Sequence, residues 1–131
     1  MSVFVDTSSF LAVLDAGDRN HAQATRVWTE MVRGSEMITT SNYVVVETMS
    51  LLQRRSDTAT IQRFHGDILR AVSVEWVDEV VHSIGVSAAL ASGRRGPSLV
   101  DCVSFELMRR LDIRTAFSYD KHFADAGFQT L

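Results

Sequence analysis

The chain has 131 residues, 46% of them hydrophobic and 22% charged, with seven glycines and one proline. This is the balance of an ordinary globular protein, long enough for one core that buries roughly two-thirds of the unfolded chain's surface. A formal net charge of -3 and a pI near 5.7 exclude broad electrostatic adhesion to nucleic acid, which needs a strongly basic domain, so any such contact must be local or metal-mediated.

Cys102 is the only cysteine, so neither a disulfide within the chain, a zinc finger nor a Cys-x-x-Cys redox motif can form, and a reducing, cytoplasmic setting is expected. The apolar N-terminal stretch lacks a basic leader and carries Asp6 and Asp15, which argues against a signal peptide or membrane anchor.

In chain order, Ser2 to Val5 is a β-prone run that stops at Asp6, and Thr7, Ser8 and Ser9 then start a helix through Phe10 to Leu14. Asn20 is placed to cap a second helix, with Ala24, Val27, Trp28 and Met31 at helical spacing and Gly34 at its end. Met37 to Thr40 reads as a strand. Ser41 or Asn42 caps a helix through Val44, Glu47 and Leu51 to Arg55, and Asp57 caps another carrying Ile61, Phe64, Ile68 and Leu69. Val72 to Val77 returns to strand character. Asp78 opens a helix ending near Gly93, and the loop Arg94-Arg95-Gly96-Pro97 leads to Ser98 as the cap of a helix to about Leu111. Thr115 to Tyr119 is the next strand and stops at Asp120, before a short helical turn and an extended Phe128 to Leu131. Such alternation predicts one α/β domain over residues 1–131, a mainly parallel sheet with helices on both faces.

Ligands in open parallel sheets bind beyond the carboxyl ends of the strands, where Asp6 and Asp120 both fall. On neighbouring strands, ~5 Å apart, two such carboxylates repel unless a cation or a shared proton compensates them. Glu47 shares an apolar stripe with Tyr43, Val44 and Leu51 and is expected to point inward. Asp101 sits in the first turn of its helix, where exposed amides favour an anion. Each acid also has a plainer reading: Asp6 and Asp120 as helix caps, Ser98 with Asp101 as a capping box, Glu47 as a satisfied buried acid. Together, and with no histidine or cysteine expected among them, the four suit Mg2+ or Mn2+ and phosphate chemistry.

These pieces carry a resemblance. Phe4-Val5-Asp6-Thr7-Ser8-Ser9-Phe10, Val44-Val45-Val46-Glu47, Ser98-Leu99-Val100-Asp101 and Phe117-Ser118-Tyr119-Asp120-Lys121-His122-Phe123 occur in the order and spacing of the PIN-domain ribonucleases. The chain is similar in particular to the single-domain VapC-like toxins of toxin-antitoxin pairs. The resemblance implies a three-layer α/β/α fold and an acidic metal site of Asp6, Glu47, Asp101 and Asp120, with Ser8 assisting through its hydroxyl. Asp120, the most variable of the four in that family, acts there directly or through water. The implied reaction is metal-assisted hydrolysis of an RNA phosphodiester with departure of a 3'-hydroxyl. It also implies a small antitoxin covering the acidic rim, with an Arg directed at the carboxylates, and a homodimer for which the apolar surface of the early helices could serve.

Arg94 and Arg95 are candidates to hold the phosphate backbone of a substrate, or are simply part of a solvated loop. Arg109 and Arg110 read as partners of a helix dipole. The four histidines show no metal-ligand spacing; His122 is the one nearest the rim and is given no catalytic role. Cys102 reads as a small buried hydrophobe, and Trp28 and Trp76 as core residues. Two other functions compete: a catalytically silent PIN-like module that binds RNA or a protein, and a receiver-like phosphoacceptor domain. The latter expects a Lys ending a late strand, whereas Lys121 only follows an Asp.

Overall fold

A computed structural model describes residues 1–131. The elements run β1 (Ser2–Val5), α1 (Thr7–Leu14), α2 (His21–Arg33), β2 (Met37–Ser41), α3 (Asn42–Arg55), α4 (Thr58–Gly66), β3 (Ser73–Glu75), α5 (Glu79–Ser92), α6 (Leu99–Arg110), β4 (Thr115–Phe117), α7 (Lys121–Asp125) and β5 (Gln129–Thr130). The five strands form one sheet in the order β3-β2-β1-β4-β5, every pair parallel. From β1 the chain winds outward to β2 and β3, then returns across the sheet to start again at β4 on the other side of β1. With right-handed crossovers this reversal puts α1 to α4 against one face and α6 and α7 against the other, giving the three-layer α/β/α architecture. It also opens a crevice between the ends of β1 and β4, the place where such folds hold ligands.

β1 is central, and Val3, Phe4 and Val5 are all buried, as expected of a strand covered on both faces. Phe10 meets Phe64 edge to face at 5.1 Å and Trp28 at 6.2 Å, while Phe105 meets Phe123 at 4.9 Å. These aromatic pairs join α1 to α2 and α4 in one helix layer and α6 to α7 in the other. No helix is long and apolar enough to cross a membrane.

Several boundaries differ from the sequence expectation. The helix opened by Asp57 stops at Gly66, and Ile68–Ala71 form a separate 3-10 turn; the strand expected over Val72 to Val77 is only Ser73–Glu75, at the sheet edge. Trp76 is 78% exposed, a correction to its core assignment: it lies beyond that short strand, where no helix covers it. Asn20 occupies the cap position of α2 without a side-chain cap bond. β4 ends at Phe117, so Ser118, Tyr119 and Asp120 leave the sheet as a loop.

α5 and α6 pack closely at Gly85. A Cβ there would lie 2.4 Å from Val103 Cγ2 and 3.2 Å from Val103 Cα, and Val103 is fully buried. The α6 backbone therefore has to move to admit a methyl group. Gly85→Ala is expected to lower unfolding stability by about 1–3 kcal/mol despite alanine's better helix propensity, and by less in a Val103→Ala background. Equilibrium urea unfolding checks both values.

Candidate active site

Asp6 directly follows β1, and its N–H donates to Phe117 O (3.1 Å), extending the β1-β4 ladder by one bond. It holds the N-cap position of α1 but caps nothing with its side chain. Instead Asp6 Oδ2 accepts two hydroxyls, from Ser8 (2.9 Å) and Ser118 (3.1 Å). Ser8 Oγ in turn accepts the N–H of Tyr119 (3.0 Å), and Ser118 Oγ accepts the N–H of Asp120 (3.0 Å). Two serines thus tie the loop after β4 to the carboxylate after β1. The role of Ser118 was missed in the sequence; its position beside the Asp120 loop was the available signal.

Asp101 reaches the same crevice from the first turn of α6. It completes a capping box: its own N–H donates to Ser98 Oγ (3.1 Å), and Asp101 Oδ2 accepts the N–H of Ser98 (3.1 Å). The cap fixes the carboxylate's place. Asp120, at the start of α7, accepts the N–H of His122 (2.9 Å) on Oδ1.

Asp6, Ser8, Glu47, Arg94, Asp101, Asp120 and His122 line one cavity of about 610 Å³. Of the two loop arginines, Arg94 lines it and Arg95 does not. Glu47 is half-buried at the cavity wall and not turned into the core as expected, because the face α3 buries is Val44, Thr48 and Leu52. His122 is the main departure from the sequence reading. Its Nδ1 lies 2.9 Å from Asp120 Oδ1 and 3.7 Å from Asp101 Oδ2, and the three residues can place donor atoms within 4.8 Å of one another. The acids therefore have a histidine partner after all. Cys102 is buried, as expected.

The electrostatics are unfavourable without a counter-ion. Burial is the main cause that raises the Asp6 carboxyl above its ordinary value; bonds from Ser8, Thr7 and Ser118 oppose it, and the charge of Asp120 adds to it. Asp101 is pushed up to about 6, first by burial and then by the charges of Asp120 and Asp6, against the opposing Ser98 bonds. The ion pairs of the chain join Arg110 to Glu106 and Arg114 to Asp112, and His122, 2.9 Å from Asp120 and 3.7 Å from Asp101, is a counter-charge only when its ring is protonated, so no Lys or Arg neutralises these acids. Oxygen-rich donors, mutual repulsion and burial fit a divalent cation.

A carboxyl group whose pKa is raised by folding favours the folded state while protonated. Its contribution is whole below the ordinary value of 3.8 and is lost as pH rises through about 6. In the metal-free protein, the melting temperature of the wild type relative to Asp101→Asn is therefore expected to fall between about pH 4 and pH 7. Scanning calorimetry in chelator across that range reads the difference, and a pH-independent gap would contradict it.

The PIN domain family model matches residues 3–129. The 23S rRNA-specific endonuclease VapC20 of Mycobacterium tuberculosis, in strains CDC 1551 / Oshkosh and ATCC 25618 / H37Rv, is 34% identical over 127 residues, covering 96% of this chain and 95% of the relative. The crystal structure of Mycobacterium tuberculosis VapC20, described as a Sarcin-Ricin loop cleaving toxin, superposes with a TM-score of 0.85 at 32% identity, over 96% of this chain and 95% of that one. VapBC2 from Rickettsia felis, bound to a DNA fragment from its promoter, shares the fold at a TM-score of 0.73 and 9% identity, over 100% of this chain and 98% of that one. With a match over nearly its entire length, the chain belongs to the PIN-domain family.

Proposed function

We propose that this protein is a metal-dependent endoribonuclease that hydrolyses RNA phosphodiester bonds and serves as the toxin of a toxin-antitoxin pair. The observation that carries the reading is the convergence of Asp6, Asp101 and Asp120 in one cavity at the topological switch point, with no Lys or Arg paired to them. Two observations support it: the 34% identity to an endonuclease specific for 23S rRNA and the 32% identity to a structure described as a toxin.

In this reading Asp6 and Asp101 hold Mg2+ or Mn2+, with Glu47 and Asp120 completing the donor set directly or through water. The bound ion supplies activation of water and stabilisation of the leaving oxygen in an in-line displacement at phosphorus. The chain's own residues keep the donors in place. Ser8 and Ser118 hold Asp6 through Oδ2, and the Ser98 cap holds Asp101. Arg94, on the exposed loop before α6, faces a phosphate of the substrate from the cavity wall. Arg95, outside the cavity, is left to contacts further along the RNA. An antitoxin inhibits by covering the acidic rim, with an Arg directed at the carboxylates.

Purified protein freed of any partner is expected to cleave a panel of structured RNAs, including a sarcin-ricin stem-loop, in Mg2+ or Mn2+ and not in EDTA. Asp6→Asn should lower kcat/KM by roughly 100-fold or more. Ser8→Ala should cost about 10–100-fold, as expected of a residue that orients a ligand. Arg94→Ala should act mainly on KM. Absence of cleavage by folded wild-type protein across the panel would favour a silent RNA- or protein-binding module instead.

A further inference from the structure

We propose that His122 is itself a ligand of the metal centre, supplying a nitrogen donor beside Asp101 and Asp120, and that the site consequently favours Mn2+ over Mg2+. The inference rests on reading the cavity as a metal centre.

His122 is set in the first turn of α7, where its N–H is already held by Asp120 Oδ1 (2.9 Å). That bond fixes the backbone and leaves the ring to face the acids. Nδ1 is sealed from solvent, and although Asp120 Oδ1 is only 2.9 Å away, the angle does not make a hydrogen bond, so the atom has no partner. A buried ring nitrogen without a partner, among carboxylates, is an anomaly that calls for a missing group. If the ring served only as a protonated counter-ion, its N–H should aim at one of the two carboxylates. The observed separation instead matches that of two donors at right angles on one ion: bonds of about 2.1 Å put such donors about 3 Å apart. Asp101 Oδ2 lies 3.7 Å from the same nitrogen, and the three residues offer donor atoms within 4.8 Å of one another.

Donor chemistry then sets the preference. Mg2+ takes oxygen donors and gives up water reluctantly, whereas an imidazole nitrogen raises affinity along the first transition series, from Mn2+ to Co2+ and beyond. A purely acidic site would discriminate between Mg2+ and Mn2+ much less.

The test is calorimetric titration of metal-free wild type, His122→Gln and Asp101→Asn with Mg2+, Mn2+ and Co2+, together with pulsed electron paramagnetic resonance of the Mn2+-loaded wild type. Wild type is expected to bind Mn2+ at least about tenfold more tightly than Mg2+ and to show coupling from an imidazole nitrogen. His122→Gln should lose the coupling and roughly tenfold of its Mn2+ affinity, with Mg2+ affinity nearly unchanged. Absence of nitrogen coupling in wild type, or tighter binding of both ions by His122→Gln as for removal of a competing cation, would overturn the inference and leave the metal centre intact, provided Asp101→Asn loses both ions. If Asp101→Asn binds both ions like wild type, the metal-centre reading itself fails and takes the inference with it.

Discussion

Asp6, Asp101 and Asp120 are drawn towards one another by the fold and pushed apart by their charge, and the architecture around the crevice manages that conflict. The sheet reverses its winding between β1 and β4, so the residue after β1 and the loop after β4 must share one rim, and α6 delivers Asp101 to it from the helix layer. Burial is the larger cause and the repulsion adds to it, so both Asp6 and Asp101 are held above their ordinary pKa. A fold that depended only on its own stability would gain by replacing one of these acids. A cation that joined the three would turn the repulsion into binding energy.

The supports of the acids are ordinary structural devices put to a second use. Ser98 and Asp101 form a capping box that satisfies the exposed amides of α6, and the same geometry locks the Asp101 carboxylate at the cavity wall. Ser8 and Ser118 close the loop after β4 onto the end of β1 and both donate to Asp6 Oδ2. A helix cap and a metal-site residue are therefore not exclusive readings of one Asp. Close packing at Gly85, one helix further out, sets how near α5 can lie to α6 and so bears on where α6 presents Asp101.

Much of this was legible in the sequence because it depends on local signals. The alternation of apolar runs with caps gave the parallel sheet and its helices, and the Asp after β1 followed from the place where the buried run Val3-Phe4-Val5 stops. The orientation of Glu47 was misjudged because neighbours three and four positions away describe a stripe, whereas the buried face of α3 is centred one residue away, on Thr48. Trp76 reads as core in any window, but the edge strand before it is too short to bring it under a helix. His122 was set aside because metal-ligand spacing along the sequence is a poor guide when the partners come from different elements: Asp101 is on α6 and His122 on α7, and only tertiary structure brings the two together. Arg94 and Arg95 are equivalent as sequence, and the cavity distinguishes them.

The most direct test of the central claim, that the converged carboxylates form a divalent metal centre, is a crystal structure of the protein grown with Mn2+, with the ion located by its anomalous scattering. The account predicts a peak inside the cavity in direct contact with the carboxylates of Asp6 and Asp101. A cavity without a peak at saturating Mn2+, with Arg94 or another basic side chain folded in against the acids, would contradict it.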